Sequence, residues 1–343
     1  MVERHDSDRR RGARVSLALV VAGASLLVLG IAVGKADRNV SEVTSPSDRI
    51  GSTVVTIAIT NNGRTQMATG IALDAQGDVL IRASLVDGAD RLRAGCVGRA
   101  PSVAQLIGRD SVADVAVLKM SSSTCKTATT ATTNAKVGEP VIAVRSAGEG
   151  AQLIWRSGTI RAADVDQLRS DGNVDHHVFR TDVSGIGPAG DGLVFSESGN
   201  FLGMVLNSSD TDSEVPVRPA SALVHTATEL AAGHELEHPW IGITADDLTS
   251  DAALVAGASG CTITAVDPKG PADLAGIRPG DIVISADSQP VRSLADLARF
   301  VHEQRVSDAI QLGVQRPDGL HTVPVIVANQ PLESAGVQAI AAN

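Results

Sequence analysis

A mainly β fold with one hydrophobic segment near its N-terminus is what this sequence predicts, and three observations carry the prediction. Short apolar runs separated by Gly, Asn and Asp turns recur from residue 51 to about 218. Beyond the hydrophobic segment, only 219–237 and 293–304 have the composition or spacing of helices. Residues 15–34, VSLALVVAGASLLVLGIAVG, carry no charge.

Those twenty residues are the first apolar run in the chain. At about 1.5 Å rise per residue, a helix of that length matches a hydrocarbon core about 30 Å thick. RRRGAR precedes it at 9–14, whereas only Lys35 and Arg38 follow closely. The positive-inside rule therefore predicts a cytoplasmic basic tail at 1–14 and a single-pass transmembrane helix at 15–34. All later domains would lie outside the cytoplasm. A cleaved signal peptide is the alternative, against which its usual apolar length of about 7–15 residues counts. Residues 35–50, polar and with one proline, read as a linker.

Composition limits the cores, the partners and the cofactors. Tyr is absent, and with four Phe and two Trp the cores must be built from Val, Ala, Leu and Ile. A net charge of −10, with no basic cluster beyond residue 14, excludes nucleic acid as a partner. Cys96 and Cys125 fall in one predicted domain and could pair outside the cytoplasm, which leaves Cys261 as a buried free thiol. No CxxC occurs and no cysteine neighbours a histidine, so neither a metal nor any other cofactor is expected.

TVVTIAIT at 53–60 alternates, with Val55, Ile57 and Ile59 on one face. ATGIALDAQGDVLI at 68–81 reads as two strands joined at Asp74–Gly77. VADVAVLKM (112–120), EPVIAVRS (139–146) and GLVFSESGNFLGMVL (192–206) continue the series without an interrupting helix, as in a barrel or sandwich. The Ala, Leu and Glu of 219–237 predict a linker helix ending near Gly233. A second compact unit spans 238–328; its helix at 293–304 opens on a Ser293/Asp296 capping pair and stripes Leu294, Leu297, Ala298 and Val301. Residues 329–343 read as a frayed tail.

Three stretches carry a family resemblance. ATGIALDAQGDVLIRASLVDGADRL (68–92), GRDSVADVAVLKM (108–120) and TDVSGIGPAGDGLVFSESGNFLG (181–203) resemble the triad-bearing segments of HtrA (DegP/DegS-like) serine proteases. The resemblance implies a trypsin-like double β-barrel over 51–218. It sets the active histidine on Ser84 and the triad aspartate on Asp114. The nucleophile falls on Gly190, or on Asp191 when Pro188 is aligned instead; neither is serine. Nucleophilic catalysis of this kind needs a base in hydrogen-bond reach of the attacking oxygen and a group orienting that base. No histidine stands between His5 and His176. His176 and His177 read as polar residues entering a strand, and Ser184 and Ser196 as ordinary turn or strand-edge serines. Asp191 would also set a carboxylate where an oxyanion must be stabilised. The reading is a pseudoprotease with no catalytic residues; an active endopeptidase with a non-standard arrangement is the alternative.

HPWIGITADD (238–247) and CTITAVDPKGPADLAGIRPGDIVISADSQPVRSLADLARFV (261–301) are similar to the PDZ domain that follows the protease unit in that family. Such domains add a peptide strand to a sheet edge. The resemblance makes Trp240-Ile241-Gly242-Ile243 the carboxylate-binding loop, with Ile243, Ile284, Leu294 and Leu297 as candidates for the apolar pocket. The implied partners are C-terminal peptides or exposed segments of extracytoplasmic and membrane proteins. The implied role is that of a sensor, adaptor or scaffold in envelope protein quality control. A homo-oligomer is compatible with the resemblance, although the tether lacks the N-terminal aromatics on which some relatives' trimers rely.

Overall fold

A computed structural model describes residues 45–121, 125–131, 135–148, 152–169, 174–186, 191–206, 213–249 and 259–331. The expected membrane segment at 15–34, Gly190 and most of the expected tail lie outside the described residues. Among the described residues no helix is long and apolar enough to cross a membrane.

The first element among the described residues corrects the expected linker. Ser45 accepts a hydrogen bond from the Asp48 N–H and Pro46 opens the first turn, so α1 (Pro46–Thr53) begins inside the region read as tether. Its Ile50 is fully buried. β1 (Val54–Asn61) follows directly and turns at Asn62-Gly63, both at positive φ, into β2 (Arg64–Ala72). Asp74 accepts from the N–H groups of Gln76 and Asp78, forming the expected turn into β3 (Asp78–Ile81). A four-residue helix, α2 (Ala83–Val86), then interrupts the strands, contrary to the sequence reading. With β4 (Arg91–Cys96), β5 (Ser102–Asp110) and β6 (Val115–Met120), these strands close a barrel in the order β1-β2-β3-β6-β5-β4.

A second closed barrel has the order β10-β11-β12-β9-β8-β7. Its strands are β7 (Pro140–Ser146), β8 (Leu153–Leu168), β9 (Val174–Thr181), β10 (Leu193–Ser196), β11 (Phe201–Val205) and β12 (Val215–Pro219). His176 and His177 lie within β9, not in a loop before it.

Aliphatic side chains fill both barrels, as the composition requires. Val55, Ile57 and Ile59 face the first interior, while Val54, Ile71 and Val117 point outward into a core shared with Phe195, Phe201 and Met204 of the second barrel. Strands buried on both faces read as apolar runs rather than clean alternation, and β6 is one. α3 (Ala220–Ala231), expected as a linker, instead presses Leu223, Ala227 and Leu230 into that inter-barrel core. It approaches so closely that a Cβ on Gly108 would lie 2.8 Å from Leu230 Cβ and carbonyl oxygen. The segment from Cys125 to Ala131 also spans the barrels: Ala128 N–H donates to Ala72 and Ala131 N–H to Phe201. Cys96 and Cys125 form a disulfide across a sequence separation of 29, a closure worth about 3–4 kcal/mol by loop entropy. Cys261 is a buried free thiol, and burial pushes it up to about 12.

The C-terminal unit runs through β13 (Pro239–Trp240), β14 (Ile243–Asp247), β15 (Cys261–Val266), α4 (Pro271–Leu274), β16 (Ile282–Ala286) and β17 (Gln289–Pro290). It ends with α5 (Leu294–His302), β18 (Ala309–Arg316), β19 (Gly319–Ile326) and β20 (Ala328–Asn329). Because β20 pairs with β13, the unit reaches past residue 328 into the expected tail. Its main sheet has the order β14-β15-β16-β18-β19, which leaves β14 at an edge. Ser293 caps α5 by accepting from Asp296 N–H, as expected, whereas the Asp296 carboxylate reaches back to Arg292 N–H rather than to the cap itself.

Candidate functional site

Two places in this architecture correspond to the expected sites. The first is the region where the two barrels meet. Asp114, in the turn from β5 to β6, takes a left-handed backbone (φ +52°) that aspartate tolerates better than most residues. Its Oδ1 accepts the backbone N–H of Ser84 at 2.7 Å. Its Oδ2 accepts Nε of Arg82 at 2.7 Å and pairs with a terminal guanidinium nitrogen at 2.5 Å. Both side chains are buried, at 8% and 10% exposure. Arg82 stands between β3 and α2, two residues before Ser84, so the turn that carries the histidine-equivalent position also delivers a cation onto the aspartate. A guanidinium donates hydrogen bonds, accepts none and does not surrender its proton in proteins. Ser84 contributes its backbone to Asp114 and lies exposed.

Asp191 is buried beside this pair, at 3% exposure. Its Oδ2 accepts the Thr69 hydroxyl at 3.2 Å, and that same hydroxyl oxygen accepts Ser146 N–H at 2.6 Å. The chain from β2 to β7 to the loop before β10 thus stitches the two barrels together. Oδ1 of Asp191 and Nε of Arg145 are both buried without a hydrogen-bond partner. Burial raises the Asp191 pKa above the ordinary carboxylate value, opposed first by the positive field of Arg145, then by Thr69 and by Arg82. Arg82 therefore acts on both acids, Asp114 by contact and Asp191 through its field.

The remaining polar residues have local duties. Ser196 accepts from Asn200 N–H and shares a hydrogen bond with Ser198, closing the β10–β11 turn. His176 and His177 bond to Asp166 and Asp164 at 2.8 and 2.6 Å. Asp175, between them and β8, is paired with Arg218, which also donates to the Ala113 carbonyl.

The second place is a cavity of about 510 Å³, bordered by the C-terminal unit on one side and by β9, β12 and α3 on the other. It collects Trp240, Ile241, Gly242, Ile243, Leu294 and Leu297. Ile284 is not among its lining residues; it stands on β16 with its Cγ2 toward Gly260. Gly242 has φ +75°, and a Cβ there would meet the Trp240 ring at 3.1 Å. Ile241 and Gly242 give their carbonyls to Ala272 and Asp267 N–H, which fixes the loop. Their own N–H groups have no acceptor among the described residues. Asp247 at the end of β14 accepts Leu294 N–H at 2.5 Å, pinning the start of α5 beside the edge strand. A sheet edge, a helix alongside it and a loop of unengaged N–H groups can accept an extended chain ending in a carboxylate.

Two closed six-stranded barrels in tandem, followed by a smaller domain with an edge strand and a flanking helix, define a trypsin-like double-barrel fold with an appended C-terminal domain. The model of the PDZ domain matches residues 262–316. A probable periplasmic serine endoprotease, DegP-like, from Pseudomonas savastanoi pv. phaseolicola is 27% identical over 286 residues, covering 78% of this chain and 57% of that protein. The putative serine protease HhoA of Synechocystis sp. is 28% identical over 271 residues, covering 73% and 67%. The fold also matches the HtrA-type protease AlgW with decapeptide (TM-score 0.69, 19% identity, 84% and 98% covered). A serine endoprotease from Yersinia pestis gives a TM-score of 0.65 at 20% identity, with 83% and 97% covered. Over most of its length the chain is similar to HtrA-type and DegP-like serine proteases, and residues 262–316 match the PDZ domain. It spans 57% of the length of the DegP-like relative.

Sequence reasoning found Asp114 and Asp191 but missed Arg82. The signal was present: a charged residue closing the otherwise apolar run VLI has to find a partner when that strand is buried. Removing that partner has a definite consequence. Arg82→Met should destabilise the protein by about 3–5 kcal/mol in urea denaturation at neutral pH, because it strands a buried carboxylate. Arg82→Met/Asp114→Asn should recover most of that loss, because asparagine tolerates the left-handed backbone and still accepts the Ser84 N–H without a charge. Asp191→Asn should raise the urea midpoint at neutral pH. With the folded-state pKa raised, wild-type stability is fullest below the unfolded pKa and falls as pH rises through the folded one. The advantage of the asparagine should therefore shrink on acidification toward about pH 4, the unfolded value, and level off below it. An advantage that is constant with pH would contradict the burial of an ionised Asp191.

Proposed function

We propose that this chain is a non-cleaving member of the HtrA family, which holds the C-termini of other extracytoplasmic or membrane proteins in its PDZ groove. The observation that carries the reading is the Arg82–Asp114 pair. The acid that would orient a base is consumed by a permanent cation, and the base and nucleophile positions hold Ser84 and Gly190 or Asp191. Triad chemistry then lacks its proton acceptor as well as its attacking oxygen. The groove, by contrast, keeps the parts that strand addition requires: the β14 edge, the α5 flank and the Gly242 loop.

The extracytoplasmic setting is supported by the Cys96–Cys125 disulfide, by the periplasmic description of the DegP-like relative and by the charge asymmetry around residues 15–34. In that setting the N-terminal segment is a membrane anchor with its basic tail in the cytoplasm. The role is then that of a sensor, adaptor or scaffold in envelope protein quality control.

The purified protein should bind members of a library of peptides with free C-termini. Gly242→Glu should weaken that binding more than about tenfold, since a side chain there is strained at positive φ, abuts Trp240 and sets a negative charge in the carboxylate loop. Fluorescence anisotropy measures both. Absence of binding by any free C-terminus, or equal affinity in the variant, would leave a purely structural role.

A further inference from the structure

Three imidazoles meet where the PDZ groove opens toward the second barrel. His302, at the last position of α5, lines the cavity together with the Trp240–Ile243 loop and is exposed to it. Its ring centroid lies 5.7 Å from that of His176 on β9. His238, just before β13, lines the same cavity.

The three differ in their counter-charges. His176 is bonded to Asp166, and His238 to buried Asp110 at 2.7 Å. The arginines at the barrel wall are matched too: Arg218 pairs with Asp175, and Arg169 lies 4.0 Å from the same acid. On α5 itself, Arg299 is paired with Asp296. His225 of α3 and Glu237 face the cavity from the connecting segment. Among the described residues His302 has no hydrogen bond or ion pair with any carboxylate. Of the groups acting on it, desolvation, His176 and His238 all disfavour its charged form, and the adjacent Glu303, the weakest influence, favours it. A proton on His302 therefore lacks an anion, in a cavity whose loop presents N–H groups suited to one.

We infer that His302 is a protonation-linked contact for the carboxylate of the captured peptide, so that capture tightens as the surroundings acidify. This rests on the C-terminus-binding function proposed for the groove and adds its regulation. In the empty cavity His302 is neutral near pH 7. A bound carboxylate supplies the missing counter-charge and raises the pKa of the ring, so binding takes up a proton. Affinity then climbs as pH falls through the bound-state value and levels off below the free-state value, about tenfold for each unit by which binding raises the pKa. The terminal carboxylate stays ionised over this range, since its own pKa is about 3.5.

The test uses a fluorescein-labelled peptide with a free, apolar C-terminal residue, taken from the library, and its C-terminally amidated twin. Each is titrated against wild type, His302→Gln and His302→Lys at about pH 7.5 and about pH 5.5. The free-acid peptide should bind wild type at least about fivefold more tightly at the lower pH. That gain should vanish in His302→Gln, in His302→Lys (charged at both pH values) and with the amide. A gain that persists in either variant or with the amide, or no gain in wild type, overturns the inference and leaves C-terminal binding intact. Binding of no free-acid peptide at either pH removes the underlying function and this inference with it.

Discussion

The buried contact between Arg82 and Asp114 is the constraint around which the first site is organised. Two charges withdrawn from water must compensate each other, and here one carboxylate takes two guanidinium nitrogens and a backbone N–H. That saturates the acid. In a working triad the same carboxylate would hold an imidazole that alternately takes and gives a proton. An arginine in its place gives a fixed charge with no second protonation state, so the geometry persists as structure. Asp191 extends the arrangement across the interface, tying Thr69 of one barrel to Ser146 of the other through a shared hydroxyl.

The scaffold that presents these groups is built mostly from aliphatic side chains, with few phenylalanines set among them. Val54, Ile71 and Val117 from one barrel and Phe195, Phe201 and Met204 from the other build the shared core, with α3 laid across it. The disulfide fastens the inter-barrel segment to the end of β4, and the segment's own hydrogen bonds continue to β11. The Arg82–Asp114 pair and the Thr69–Asp191 contact thus lie in a molecule whose two barrels are held together by apolar packing, a disulfide and backbone hydrogen bonds. The free strand edge lies in the C-terminal unit, at β14.

Much of this was legible in the chain, for physical reasons that differ by element. Strands with one buried face declare themselves by period two, as Val55, Ile57 and Ile59 do. The Ser293 cap and the apolar stripe of α5 are local signals, and the structure keeps them. α1 carried an equally local signal in Ser45-Pro46, hidden because its surroundings are polar. The α3 sequence showed a helix but not its packing partner, which only the closure of both barrels creates. Arg82 and Asp114 are 32 residues apart, and nothing local joins them. The same holds for His302 and His176, which meet only when the PDZ domain rests against β9. Ile284 looked like a pocket residue because it is an apolar residue on a strand of the right domain; the alternation along β16 turns it elsewhere.

Whether the saturated acid leaves any attacking group is best tested by exposing the purified protein to a fluorophosphonate probe and reading the labelled fraction by intact mass. With Asp114 held by Arg82 and no base at position 84, no serine should be labelled, and a casein substrate should remain whole. Stoichiometric labelling of one serine, lost on a single substitution inside the barrels, would contradict the account.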